Sequence, residues 1–330
     1  MSSTPVELRD VRAAALRIQH FLHTTPVLTS HSVDVLAGRQ LFFKAEHLQK
    51  TGSFKARGAC NAVFLEKERN PDSAGVVTHS SGNHAQAVAY AAMCLGLPCT
   101  VVVPKGTPKV KCDAICSYGA ELVFCNPTPV SRVKTCASVA EETGRTIIHS
   151  SDNYDVIAGQ GTIALELLNE VPDLDAIVVP TSGGGMLAGV SVATQKIQPK
   201  CQVYAVEPVG KNLQRCLEAK QRLWSDPPTF LNTVADSMRL QAVGHLAFPI
   251  ICEYTNTRVF TVTDDQMIEG MKLTFERMKQ VIEAASGAGV YAAVKLIGEV
   301  QPKARKVGVI LCGGNVDLDK LPWVMPITSY

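Results

Sequence analysis

Hydrophobic positions along the chain change period at intervals, and the changes mark its elements. From Glu7 to His23 apolar residues recur at helical spacing (Leu8, Val11, Ala15, Ile18, Leu22), and the run stops before Thr25 and Pro26, where a proline cannot extend a helix. Leu41 to Leu48 reads as a strand and Phe54 to Glu68 as a helix. From Gly75 strands and helices alternate through GVVTH, NHAQAVAYAAMCLG, CTVVVP, PKVKCDAICSYG, AELVFC, SRVKTCASVAEETG and TIIHS. Short strands alternating with helices imply an α/β class, with a parallel sheet and right-handed crossovers. This block, residues 75–150, is expected to be a small mobile domain. A second alternation runs through Val156 to Glu170, AIVVP, GGMLAGVSVATQKI, CQVYAVEP, RVFTVT, DDQMIEGMKLTFERMKQV, GAGVYAAVKLIGEV and KVGVILCGG. Residues 1–74 plus 151–330 are therefore expected to form a larger domain around a second sheet. Ligands in open parallel sheets collect at the carboxyl ends of strands. The loops after VVTH, IIHS, AIVVP, YAVEP and GVILC should build any site.

A chain of 330 residues is long enough for two such domains, and 46% hydrophobic with 19% charged residues marks it as globular. The formal net charge is +2 with scattered basic residues, so nothing suggests nucleic acid as a partner. No apolar run reaches the roughly 18 residues of a membrane span, and the amphipathic start lacks a signal-peptide core, so no membrane is expected. Eleven cysteines, among them Cys60, Cys94, Cys99 and Cys125 in apolar patterns, read as buried thiols of a cytoplasmic protein. Cys112 and Cys116 have helical spacing but no second ligand pair follows, which argues against zinc.

The chemistry begins at Glu46 to Ala59, EHLQKTGSFKARGA, where Lys55 stands between a strand and a helix beside Phe54. A lysine desolvated at a helix start loses proton affinity and can attack a carbonyl carbon, although a lysine taken alone is ordinarily a solvated surface residue. After AIVVP, Ser182, Gly183, Gly184, Gly185 and Met186 open a helix. Consecutive glycines let backbone N–H groups close on a phosphate, and the same run also serves as a tight turn. The spacing is not that of GxGxxG and no P-loop lysine follows, so a monophosphate is the better guest. After VVTH come Ser80, Ser81, Gly82, Asn83 and His84, again at a helix start. These suit a carboxylate, and they also suit plain N-capping. Cys312, after GVIL, reads by itself as a buried strand-end thiol.

Taken together, TGSFKARGA, HSSGNH, VIAGQGTIALELL, SGGGMLAG and GGNVDL resemble the serine and threonine dehydratase family of fold-type II pyridoxal-phosphate enzymes, from about Leu8 to Leu321, and most of all its racemase branch. The resemblance implies two open, twisted, mostly parallel sheets flanked by helices, as in tryptophan synthase β, and a homodimer. It implies that Lys55 forms the Schiff base with pyridoxal phosphate and that Phe54, Asn83, the Ser182 to Met186 loop and Cys312 hold the cofactor. Ser182 stands where many members have a fourth glycine. Ser81 matches a serine of the racemases where dehydratases carry alanine, so Lys55 and Ser81 are expected to serve the two faces of Cα. Ala85 after His84 is dehydratase-like.

The same resemblance makes Ser80, Ser81, Asn83, His84 and Arg132 substrate contacts, with Ser150 and Ser151 matching a serine cluster of animal aspartate racemases; without it that loop reads as a polar turn. Glu207 matches a divalent-cation ligand for Mg2+ or Ca2+, but Leu213 stands where an aspartate is expected, Lys211 lies between, and Asp236 is a weaker candidate. Lys50, Thr51 and Lys279 match contacts of a nucleotide effector, with His31 in place of a serine. The implied activity is interconversion of L- and D-aspartate or L- and D-serine, with β-elimination to a keto acid and ammonia on the side. The alternative is an L-serine or L-threonine dehydratase without racemase activity.

Overall fold

The computed structural model describes residues 6–324. Their strands, in chain order, are β1 (Val27–Leu28), β2 (Gln40–Lys44), β3 (Val76–His79), β4 (Cys99–Pro104), β5 (Glu121–Cys125), β6 (Thr146–Ile147), β7 (Ala176–Pro180), β8 (Gln202–Pro208), β9 (Val259–Val262) and β10 (Lys306–Ile310). Six form one sheet in the order β1-β2-β10-β7-β8-β9, parallel except for the antiparallel β1 edge. The remaining four form an all-parallel sheet in the order β5-β4-β3-β6. The alternating pattern predicts this α/β class with parallel sheets, and the resemblance implies the pair of open, mostly parallel sheets. All five residues of β7 are buried, as a strand covered by helices on both faces requires. No helix among the described residues is long and apolar enough to cross a membrane.

The helix Gly185–Ile197 runs through the centre of the larger core with ten buried residues, from Gly185 to Thr194. It packs against Tyr154–Glu170, which in turn packs against Lys55–Arg69. That second contact is close because Gly159 has no side chain: a Cβ there would meet the Arg57 carbonyl oxygen at 2.6 Å. The core under the four-stranded sheet joins Val76, Val101 and Val103 to Ala59, Val63 and Phe64 of the lysine helix. The lysine helix thus touches both cores.

Several elements differ from the sequence pattern, each for a local reason. The strand expected over Leu41 to Leu48 stops at Lys44, and a short 3₁₀ turn, Glu46–Leu48, follows because Glu46 turns inward to meet Arg57. The first helix, expected to His23, ends at Ile18, ahead of Thr25 and Pro26. GAGVYAAVKLIGEV is helical but broken by a π-turn at Ala292–Leu296. Helices His31–Ala37, Leu213–Ala219 and Ala247–Tyr254 have no counterpart in the sequence pattern; two of them span only seven residues, too short for a clear period. Cys60, Cys99 and Cys125 are buried and Cys94 is half-buried, and all eleven cysteines are free thiols.

Beneath the lysine helix lies a buried ionic knot. Arg57 donates to both oxygens of Glu46 at 2.7 and 2.8 Å and to both oxygens of Glu166 at 2.7 and 2.8 Å. Lys44 Nζ adds bonds to Glu166 and to the Thr25 carbonyl, each 2.6 Å. Two cations thus face two carboxylates. Burial tends to lower the Arg57 proton affinity and the two carboxylates more than restore it, while Glu166 keeps its charge to lower pH than an ordinary glutamate because Arg57 and Lys44 outweigh its burial. Breaking one partner out of a buried pair costs about 3–5 kcal/mol, since the survivors are left uncompensated. Arg57→Ala should therefore lower the urea midpoint steeply, with stability reduced by about 3–5 kcal/mol. Arg57→Lys, which cannot fork onto two carboxylates, should recover only part of that loss.

Candidate functional site

Four of the five expected loops, those after β3, β6, β7 and β10, converge around Lys55 at the first turn of its helix, and the fifth, after β8, packs against residues 240–241 instead. Lys55 is partly accessible to the cleft yet ringed by protein. Its Nζ donates to the Ser150 carbonyl at 2.6 Å and lies 5.1 Å from the centre of the Phe54 ring. Burial pulls its pKa down to about 8, and Cys312 opposes the shift only in part. An amine in that range exchanges protons readily near neutral pH.

The glycine run leaves β7 and enters the helix Gly185–Ile197, with Gly184 in the left-handed region at φ 90° as its N-cap. A Cβ at Gly184 would meet Val243 Cγ1 at 2.6 Å, and one at Gly183 would strike the Ser151 side chain. The loop is folded tightly against its neighbours, with helix N–H groups directed at its mouth, which is the arrangement that holds a phosphate.

The loop after β3 precedes the helix Asn83–Leu95. Ser80 Oγ accepts the Gly82 N–H at 3.3 Å, while the half-buried Ser81 hydroxyl makes no hydrogen bond to protein among the described residues. His84 is buried and neutral, because burial and then the Lys55 charge disfavour its protonation. Its Nε2 lies 3.0 Å from the Ile148 carbonyl, and its Nδ1 is buried without a partner. Asn83 is fixed at both ends of its amide: Nδ2 donates to Glu283 at 2.7 Å and Oδ1 accepts from Asn315 Nδ2 at 2.8 Å. Asn315 Nδ2 also donates to the Thr51 carbonyl at 2.8 Å.

Glu283, Ser286 and Asn315 are site residues that the sequence pattern does not single out. Burial raises the Glu283 pKa to about 7, against the hydrogen bond from Asn83, and one carboxyl oxygen has no partner. A glutamate placed between Ile282 and the small-residue run AASGAG is the available signal, since such surroundings bury a carboxyl. Cys312 sits 3.3 Å from Ser286 Oγ, and burial, then Glu283, pushes its thiol up to about 12, so it is uncharged.

At the far side His79 and His149 meet edge to face at 6.0 Å. Burial, then His149 and Arg132, pull the His79 pKa down to about 4. Arg132 lies 5.9 Å from the centre of the exposed Phe230 ring, and its buried Nε has no hydrogen-bond partner. The loop Ser150, Ser151 and Asp152 is held from both ends. His149 Nδ1 accepts the Ser151 and Asp152 N–H groups at 3.2 and 2.8 Å, and the Asp152 carboxylate accepts three backbone N–H groups, of His245, Leu246 and Ala247, at 2.7–3.2 Å.

The outlying candidates are placed differently. Both oxygens of the buried Glu207 are occupied, by the Leu213 N–H at 2.9 Å and the Thr261 hydroxyl at 3.1 Å, and Asp236 is paired with Lys111 at 2.8 Å. Among the described residues no cluster of three His, Cys, Asp or Glu could hold a metal. Thr51 is left-handed at φ 61° and Lys279 at φ 58°; Lys279 Nζ donates to the Glu276 carbonyl, and Lys50 is half-buried.

Known proteins resemble the chain along nearly its whole length. A family profile described as pyridoxal-phosphate dependent enzyme matches residues 18–313. A serine racemase from Dictyostelium discoideum is 43% identical over 320 residues, covering 97% of this chain and 98% of its own length. A crystal structure of a pyridoxal 5'-phosphate-dependent aspartate racemase superposes with a TM-score of 0.94 at 52% identity, covering 98% of this chain and all of that one. A crystal structure of a T.th. threonine deaminase gives a TM-score of 0.87 at 38% identity, covering 95% of this chain and 100% of its own.

The lowered pKa of Lys55 is directly measurable. In cofactor-free protein, acetylation followed by peptide mass mapping should modify Lys55 with a midpoint near pH 8, while exposed lysines respond only above about pH 10. The sign follows from the shift: a lysine whose folded pKa is depressed carries a cost below pH 8 that is relieved as pH rises towards the unfolded value.

Proposed function

The chain belongs to the pyridoxal-phosphate dependent enzymes, and from that premise we propose that it is an amino-acid racemase interconverting the L and D forms of aspartate or serine, with β-elimination as a side reaction. The observation that carries this reading is the pairing, in one cleft, of a lysine amine near pKa 8 with a serine hydroxyl that no protein group has claimed. The residues suit the cofactor. Lys55 offers the amine, the glycine run offers a phosphate cradle in which a Cβ would collide, and Cys312 offers an uncharged buried partner for the ring nitrogen. When bound, pyridoxal phosphate supplies the electron sink that makes the Cα–H bond of a linked amino acid acidic.

The chain's own groups then divide the work. Amides of residues 183–185 would hold the phosphate, and Phe54 flanks the amine. Asn83, held rigid by Glu283 and Asn315, would be the contact for the ring oxygen. Backbone N–H groups at Ser81, Asn83 and His84, with the Ser80 hydroxyl and the unpartnered His84 Nδ1, would hold the α-carboxylate at the start of their helix. Lys55 Nζ takes the Cα proton on one face and Ser81 Oγ delivers one on the other, since inversion requires two positioned groups. Where the β-substituent is a hydroxyl, it leaves as water once the Cα proton is taken, and hydrolysis of the resulting enamine gives a keto acid and ammonia, in keeping with the likeness to a threonine deaminase.

An acidic side chain suits the far end of the cleft. Arg132 has an unmatched buried Nε, and Ser150 and Ser151 lie on the loop that follows His149. Aspartate is therefore the substrate we put first. We also take residues 75–150 as a domain that closes on the rest and the free thiols as fitting a cytoplasmic setting. The exposed Leu16, Val35 and Leu36 fit the face of a homodimer. Lys50, Thr51 and Lys279 are the positions where a nucleotide effector would act, with Thr51 one amide away from Asn83.

Chiral chromatography of L-aspartate and L-serine incubations tests the main reading. D-isomer should accumulate, and keto acid without any D-isomer would establish the dehydratase alternative, to which Ala85 points. Ser81→Ala should keep elimination within a few-fold and reduce racemisation by about 100-fold or more, the range of a lost acid–base group. Arg132→Ala should raise KM for L-aspartate by about tenfold or more with a smaller change for L-serine, as expected for losing a charge-assisted contact.

A further inference from the structure

Lys211 follows β8 and is fully buried. Its ammonium donates to two backbone carbonyls, of Leu240 at 2.8 Å and Gln241 at 2.9 Å. Its own carbonyl accepts the Trp224 indole N–H at 2.6 Å, and the face of that ring lies 5.9 Å from Nζ. Burying a lysine is costly unless its charge is matched and its protons are bonded. Burial works against the Lys211 charge, and the buried Glu207 works for it from nearby. One lysine thereby ties three segments of chain, around residues 211, 224 and 240–241, into one unit.

That unit backs the glycine run. The Gly244 N–H donates to the Gly183 carbonyl at 3.1 Å, Val243 fills the space where a Gly184 side chain would go, and Leu240 Cδ2 lies 3.5 Å from the place of a Gly183 Cβ. Any looseness in residues 240–244 would be transmitted to the cradle. A divalent ion could brace such a loop elsewhere by collecting its oxygens, but the oxygens here are already engaged by protein donors. Glu207 accepts from Leu213 and Thr261, the Lys211 carbonyl accepts from Trp224, the Leu240 and Gln241 carbonyls accept from Lys211, and Leu213 contributes no side-chain oxygen. A hard cation needs about six oxygen ligands, and these residues do not supply them.

We infer that Lys211 is a built-in cation, whose side chain braces residues 240–244 under the glycine run from within the chain and so frees the site from any need for Mg2+ or Ca2+. It is a positioning residue, touching neither substrate nor cofactor. The inference rests on the reading of Gly183 to Gly185 as the phosphate seat.

The test uses the holoenzyme, wild type and Lys211→Ala, with and without EDTA, Mg2+, Ca2+ and n-propylammonium, which matches the deleted part of the side chain. Racemase turnover and the cofactor dissociation constant, the latter from absorbance titration of stripped protein, are read in parallel. Wild type should change by less than about 1.5-fold on EDTA treatment or divalent-ion addition. Lys211→Ala should bind pyridoxal phosphate about tenfold more weakly, as expected for losing a charged, hydrogen-bonded tether, and n-propylammonium should restore much of that affinity where a similarly sized uncharged alcohol does not. Loss of wild-type activity on EDTA with recovery on Mg2+ or Ca2+ would overturn the inference, as would an unchanged cofactor affinity in the variant. Should the variant fail to fold, the wild-type EDTA arm still decides. A wild type that binds cofactor but turns over no amino acid would instead sink the proposed function and leave the affinity arm standing.

Discussion

The cleft depends on Arg57. Its guanidinium occupies two carboxylates at once, one on the turn after β2 and one on the helix Tyr154–Glu170, and Lys44 neutralises what would otherwise be a surplus negative charge. Buried ions are expensive to desolvate, so such a knot is held only in the one geometry that satisfies all its members. Arg57 is two residues from Lys55 on the same helix. The lysine therefore inherits its position from an interaction that can neither slide nor rotate without exposing a bare charge. The missing side chain at Gly159 lets the two helices approach closely enough for the fork to reach.

The site built on this frame is short of charge. Lys55, His79 and His84 are all moved by burial towards neutrality, and so are Glu283 and Cys312 from the acidic side. Little in the cleft would then compete with the phosphate and carboxylate groups of incoming molecules for the helix N-termini, where fixed dipoles act most strongly in poorly solvated surroundings. An uncharged thiol at Cys312 continues the same logic: as a ring-nitrogen partner it would not press a proton onto that nitrogen as a carboxylate would.

Much of this is legible along the chain, because alternation of short apolar strands with helices, and glycines at strand ends, are local signals. Lys55, Ser81, the glycine run and Cys312 all lie directly after strands or at helix starts, where position in sequence predicts position in the sheet. What escapes is made by tertiary contact. Glu46 reads as part of a strand until Arg57 draws it inward, and Glu283 reads as an ordinary glutamate until Asn83 and Asn315 arrive from 200 and 32 residues away. Lys211 reads only as an awkward residue beside Glu207, because nothing local reveals that the Leu240 and Gln241 carbonyls wait for it. The short helix Ala247–Tyr254 is hidden for a related reason: its N-terminal cap comes from Asp152, far away in sequence.

That distant cap has an evolutionary corollary. Ser150 and Ser151 hang between two anchors, the His149 imidazole and the Asp152 carboxylate, that secure the main chain through backbone groups alone. Ser151 is packed against Gly183, whereas the half-buried Ser150 side chain is an interchangeable fitting on a fixed rail. The side chain at position 150 can therefore change by single substitutions with the scaffold untouched, as long as Asp152 stays.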